Sequence, residues 1–220
     1  TVNVSGDVFR LASASAHSPE PVNFGNRHVG DDASLAFSLT NTAAADGFSE
    51  SLNATVGGAT GAATTNGGSF SGLAAGASNG SALIVGLDTA TVGVKTGTAT
   101  INLASDGTGT SGFGALAIGT QTVNVSGTVF RLAQANNVLG VNFGAVHVGD
   151  SVSQALTIQN VAAADGFSEG LDASFGGSSD ARILTSGSIT NLAAGGSNNA
   201  SMSVGINTGA IVRPSAIDEI

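Results

Sequence analysis

One long unit occurs twice, and this repeat constrains the fold more than any other feature of the chain. "VNFGNRHVGD" at 22–31 returns as "VNFGAVHVGD" at 141–150, and "AAADGFSE" at 43–50 returns unchanged at 162–169. "GLAAGASN" at 72–79 answers "NLAAGGSN" at 191–198. From Val22 onward the offset is 119 residues. That is too long for a solenoid turn or a propeller blade, and it is the size of a whole domain. The 220 residues therefore read as beads of one design, a first complete repeat at 13–130 and a second at 131–220 that is incomplete at its C-terminal strands.

Inside the unit the apolar period is two. Leu35, Phe37 and Leu39 alternate with small or polar residues, as do Leu83, Val85 and Leu87, then Ala99, Ile101 and Leu103, then Val123 and Val125. Such alternation marks strands buried on one face. The second copy keeps the pattern with other apolar residues. Leu156 and Ile158 stand for Phe37 and Leu39, and Met202, Val204 and Ile206 for Leu83, Val85 and Leu87. Turns rich in the 33 glycines separate the runs, and no amphipathic helix of useful length is visible. About seven short strands per unit predict an all-β chain of tandem immunoglobulin-like β-sandwich domains.

The two ends raise a separate question. "TVNVSGDVFRLA" at 1–12 nearly duplicates "TVNVSGTVFRLA" at 122–133, with Asp7 against Thr128 as the one difference. In the first repeat "GTATINLASDG" and then "TVNVSGTVF" supply the last two strands, whereas the second repeat stops after "SVGINTG". The tail "IVRPSAIDEI" is a poor substitute, because it puts Asp218 where Ala99 faces the core. Losing two strands leaves roughly six apolar side chains without partners, at about 1.5–3 kcal/mol each. Alone, the second unit is expected to be unfolded, molten or sticky at its open edge.

Two expectations follow for residues 1–12. They are the closing strand of a preceding repeat, the chain then being a window on a longer array. Or they are a donor strand that places Val2, Val4, Val8 and Phe9 in the open second unit of the next molecule. Such head-to-tail contact does not close on itself and builds a filament, although one donated strand replaces only one of two. Thr1 begins inside a strand pattern, so the chain reads as a processed product or a fragment of something longer.

Chemistry is sparse. The formal net charge is −9 and Lys95 is the sole lysine, so no basic patch exists for nucleic acid or anionic lipid. No run of about 18 apolar residues suggests direct membrane insertion by a helix. The absence of Cys excludes disulfides and thiolate sites. His28 and His147 occupy equivalent places beside a Gly-Asp turn and read as turn-bonded or exposed residues rather than metal ligands. Asp46 with Glu50, and Asp165 with Glu169, read as turns carrying solvated charge. Calcium is the one cofactor they bring to mind, with "SDGTGTSG" from Ser105 as a third candidate loop. No catalytic constellation is present, so no enzyme activity and no cofactor are expected.

Phe24, Gly25, His28 and Gly30, with Phe143, Gly144, His147 and Gly149, define the repeat. Together with an alternating strand ending in Asn and a later "LAAG", they resemble the choice-of-anchor D repeats of the bacterial, hydin-like immunoglobulin folds. The resemblance covers Val22 to about Thr208. It implies a bacterial surface or secreted protein of tandem β-sandwiches, usually ending in an anchoring signal. The tail here is neither a sortase motif nor an apolar anchor. The expected function is structural or adhesive, outside the cell, with self-association through strand exchange or neighbouring repeats. The alternative is a surface module that binds carbohydrate or protein from a monomeric stalk. A sugar site is disfavoured by the absence of Trp and Tyr.

Overall fold

A computed structural model describes residues 1–209. The chain divides into two compact units, Thr1–Phe130 and Arg131–Ile220. The strands of the first unit are β1 (Val22–His28), β2 (Ser34–Ala36), β3 (Leu39–Thr40), β4 (Ser51–Gly61), β5 (Ala63–Thr65), β6 (Ser69–Leu73), β7 (Ser78–Asn79), β8 (Ile84–Leu87), β9 (Gly93–Asp106) and β10 (Leu116–Phe130). Joined across short breaks they make seven stretches, so the alternating pattern located them well. One sheet runs in the order β1-β10-β9-β4-β6. The opposing strands are β2-β8-β5 and β3-β7. The fold is an immunoglobulin-like β-sandwich.

The core lies where the inward phases of these strands meet. Phe37 and Leu39, Leu52, Val85, Ala99 and Ile101, and Val123 and Val129 are all fully buried. The hairpin of β9 and β10 lies at the middle of the larger sheet. β10 pairs antiparallel with β9 and parallel with β1, while the other edge of β9 pairs antiparallel with β4. Removing this hairpin would uncover the core from both sides.

A lead-in segment precedes β1 and is tied to the sandwich by polar groups. The Arg10 amide donates to the Phe48 carbonyl and the Glu50 amide to the Arg10 carbonyl. Ala12 is buried, and its amide donates to Ser105 Oγ at 2.7 Å. Residues 10–12, grouped with the opening strand in the sequence reading, therefore pack on the first unit, and the segment divides after Phe9. Residues 1–9 themselves form no strand, because no described neighbour pairs with them.

Asn41 is the polar centre of this lead-in. It is fully buried. Its side-chain amide donates to the carbonyls of Glu50 and Leu73 at 3.0 and 3.1 Å. Its Oδ1 accepts the amides of Ser13 and Ala43 at 3.2 and 3.3 Å. Four backbone groups in three parts of the chain are thus satisfied by one residue, as burial demands.

Farther along, His17 lies edge-on to Phe37 and bonds Gln121 through Nδ1 and Glu20 through Nε2, both at 2.8 Å. Glu20 also accepts from the Asn124 side chain and amide. Burial pushes the Glu20 carboxyl up, but the bonds from His17 and Asn124 and the His17 charge outweigh it and hold the group below its usual value.

The second unit contains β11 (Ser151–Ala155), β12 (Ile158–Gln159), β13 (Leu171–Ser174), β14 (Ile183–Ser186), β15 (Ser188–Leu192), β16 (Ser197–Asn198) and β17 (Ser203–Asn207). Its pairings β11-β17-β14, β12-β16 and β13-β15 repeat those of β2-β8-β5, β3-β7 and β4-β6. Even the register is kept, with Leu171 opposite Leu192 as Leu52 is opposite Leu73. Asn160 is fully buried and donates to the carbonyls of Glu169 and Leu192, while its Oδ1 accepts the amides of Gln134 and Ala162. Counterparts of β1, β9 and β10 are absent among the described residues. The core cluster shrinks to Ile158, Ile189 and Met202, with Leu171, Ala173, Phe175 and Leu192 half-buried against it.

The second unit, expected to be unfolded, molten or sticky at its open edge when alone, has its remaining strands paired, because ladders and the Asn160 network are local to them, while among the described residues little core backs them. The Asp218 reading falls on residues outside the described ones.

Two outcomes test this account. Asn41→Ala strands several buried backbone groups and should lower the first unit's unfolding free energy by about 2–4 kcal/mol, read by urea titration. A carboxylate held below its unfolded value adds stability that is fully present above that value, here 4.5, and lost as pH falls through the folded one. Glu20→Gln should therefore narrow its gap from the parent chain as pH drops below about 4.5, measured as the difference in thermal midpoint.

Candidate functional site

The feature that differs between the two units is the seat of the closing strand. In the first unit β1 and β10 lie parallel, with Val22 opposite Val125, Asn23 opposite Ser126, Asn26 opposite Thr128, Arg27 opposite Val129 and His28 opposite Phe130. The Val29 amide closes the ladder on the Phe130 carbonyl at 2.9 Å. Between Asn23 and Asn26 the register shifts at a bulge. Asn23 Oδ1 accepts the Gly25 amide at 2.8 Å, and Gly25 takes φ +65°, a conformation costly for any residue with a Cβ.

Gly127 passes directly over this bulge. A Cβ there would stand 2.6 Å from Leu87 Cδ2 and 3.1 Å from the Gly25 carbonyl oxygen. Glycine lets β10 approach this closely without displacing the Leu87 side chain or crowding the Gly25 carbonyl. This role was missed in the sequence, although a signal was present: Gly127 falls in the inward phase of Val123, Val125 and Val129, where a side chain was due.

In the second unit the same turn forms, and no described strand pairs with it. Asn142 Oδ1 accepts the Gly144 amide at 2.8 Å, and Gly144 has φ +66°. The following turn is also kept. His147 and His28 each donate their amide to the aspartate three residues on, Asp150 and Asp31, both at 2.8 Å. Gly30 and Gly149 turn at φ +87° and +89°. Thr89 and Thr208 donate their hydroxyls to the carbonyls of Asp31 and Asp150. Both histidines thus sit in an aspartate-closed turn. The ring of His147 is almost fully exposed, and that of His28 about half.

What changes is cover. Val22 and Phe24 are buried, whereas Val141 and Phe143 are half-buried and residues 141–147 form no strand. A cleft of about 610 Å³ lies there, lined by Val146, His147, Val148, Arg182, Ile206, Asn207, Thr208 and Gly209. Val146, His147, Val148 and Ile206 correspond to Arg27, His28, Val29 and Leu87, which lie beside β10 in the first unit. The cleft residues Val146, Arg182 and Ile206 were not singled out in the sequence as functional, since each reads as ordinary sheet residue until the missing neighbour is known.

The opening segment repeats the sequence of β10 with one difference, Asp7 for Thr128. Val2, Val4 and Val8 are 87%, 90% and 86% exposed, while their counterparts Val123, Val125 and Val129 are buried. Phe9 rests against Phe48, with ring centroids 5.8 Å apart. Gly6 has nothing within 4 Å of its Cβ position.

The acidic candidates do not come together as a cation site. Asp46 pairs with Arg10 at 2.7 Å, and Asp165 pairs with Arg131 at the same distance. Glu50, expected to be solvated, is buried and accepts the hydroxyls of Ser105 and Ser111 at 2.6 and 2.5 Å. Its counterpart Glu169 is exposed, because the residues matching Ser105 and Ser111 belong to the hairpin absent from the second unit's described part. In the Ser105 loop, Asp106 accepts the Thr108 hydroxyl and amide and the Asn53 side chain, which hold its carboxyl below the usual range. Among the described residues no group of three or more acidic, His or Cys side chains is placed to hold a metal, and no helix is long and apolar enough to cross a membrane.

No family model and no curated protein matches the chain. Among solved structures it is similar to a protein of unknown function from Porphyromonas gingivalis, at 13% identity and TM-score 0.39 over 88% of this chain and 82% of that one. It is also similar to the ASH/PapD-like domain 7 of human CEP192, at 10% identity and TM-score 0.34 over 60% of this chain and 98% of that one.

Two segments of nearly equal sequence should therefore differ in protection. Amides of Val22–His28 that pair with β10 should exchange only on unfolding of the first unit. Those of residues 141–147 should exchange orders of magnitude faster, read by hydrogen–deuterium exchange mass spectrometry.

Proposed function

We propose that the chain is a non-catalytic structural or adhesive repeat protein of the bacterial cell surface or exterior, of the choice-of-anchor D kind. Its beads are completed by closing strands, and strand donation joins molecules head to tail. The observation that carries this reading is the mismatch between the units. One has a bound closing strand, the other has no strand at the matching seat among the described residues, and a second copy of that strand stands at residues 1–9 with Val2, Val4 and Val8 exposed. Burying its three valines offers about 1.5 kcal/mol or more each. β-augmentation of this kind takes affinity from backbone pairing and selectivity from alternate side chains. Adhesion and location outside the cell rest on the repeat design, the acidic, lysine-poor composition and the family resemblance.

The test is assembly. The 220-residue chain should form filaments or a ladder of oligomers by electron microscopy and sedimentation, and deletion of residues 1–9 should leave single particles. Single particles in both samples would leave a spacer or stalk and remove self-assembly from the reading.

A further inference from the structure

The assembly reading does not say where a donated strand lands, and the second unit offers two places. One is the seat beside residues 141–147, which β10 fills in the first unit. The other is the edge of β13 that no described strand pairs with, whose counterpart on β4 pairs with β9. Both accept an extended strand, but they differ in direction and in depth.

We propose that Thr1–Phe9 of a second copy binds in parallel to Val141–His147, with Val4 opposite Val141, Ser5 opposite Asn142, Asp7 opposite Ala145, Val8 opposite Val146 and Phe9 opposite His147. This site deepens the reading of strand donation and rests on it. Three observations set the register. The first is the ladder of β1 and β10, whose residues the two segments match one for one. The second is the acceptor bulge, already in the bound shape, with Asn142 closed on the Gly144 amide. The third is the glycine. Gly127 fits over the bulge because a Cβ would strike Leu87 and the Gly25 carbonyl, and Gly6 is the residue that would meet Ile206 and Gly144.

The β13 edge makes no such demand. Opposite residues 52–55, the counterparts of β13, β9 places residues 102–105 and no glycine, and its close-packed Gly97 faces Gly61 farther along β4, beyond the stretch that β13 repeats. A strand built for that edge would need no Gly6. In the parallel seat Val8 reaches the cleft at Val146 and Ile206, and the Val148 amide takes the Phe9 carbonyl, as Val29 takes that of Phe130.

The chain has no cysteine, so introduced thiols report the register directly. Adjacent strands lie about 4.8 Å apart, within the Cα range a disulfide spans. Full chains carrying Val8→Cys are mixed with full chains carrying Val146→Cys, or with Asp172→Cys on β13, and oxidised mildly. Val8 is exposed in the free chain, so its substitution leaves the fold intact. The expected result is a mixed disulfide with Val146→Cys and none with Asp172→Cys, lost when Gly6→Val is added to the donor. Gly6→Val alters nothing in the free chain, where no atom lies near.

A disulfide with Asp172→Cys instead would overturn the site and leave assembly standing. So would a Val146 cross-link that survives Gly6→Val, since the glycine would then have no role in the seat. Cross-links to neither partner in a chain that forms filaments would overturn the site. Cross-links to neither in a chain that stays single would overturn it together with the assembly reading.

Discussion

The structure depends on the burial of one hairpin. β9 and β10 occupy the middle of the larger sheet and carry Ala99, Ile101, Val123, Val125 and Val129 inward. With them the first unit has a core that reaches across both sheets. Without described counterparts, the second keeps every other pairing yet buries little. Hydrophobic burial scales with the area covered, so the same outer strands are backed by very different driving forces.

Polar chemistry works on a shorter scale and is nearly indifferent to this loss. Asn41 and Asn160 make the same four bonds, and Arg10 and Arg131 make the same aspartate pair. Each network closes within the lead-in, the "AAADGFSE" loop and the "LAAG" turn, all present in both copies. Glu50 marks the boundary. Its partners Ser105 and Ser111 come from the hairpin region, and its counterpart Glu169 is exposed. The repeat therefore contains a local frame that forms by itself and a core that needs the closing strands.

Much of this was legible from residues alone. The period of two located the strands around Phe37, Val85 and Ile101, because half-buried strands must alternate. The offset of 119 residues placed the duplication. The division after Phe9 was not legible, since Arg10, Leu11 and Ala12 belong to the same repeated words as the strand before them. Only their bonds to Phe48, Glu50 and Ser105 separate them. Glu50 was read as solvated because a carboxylate in a loop usually is, and no local signal gives away two serines more than fifty residues later.

The sequence by itself determined the strand phases, the duplicated frame and the aspartate- and asparagine-closed turns. These are short-range matters, and "VNFG" makes the same bulge at Gly25 and Gly144 whether or not a strand lies beside it. The tertiary structure decided which of those two nearly equal segments becomes a strand. Val22–His28 pairs with β10, and residues 141–147 have no described partner to pair with. A β-ladder joins distant segments, so nearly the same residues give a strand in one place and, among the described residues, an unpaired segment in the other.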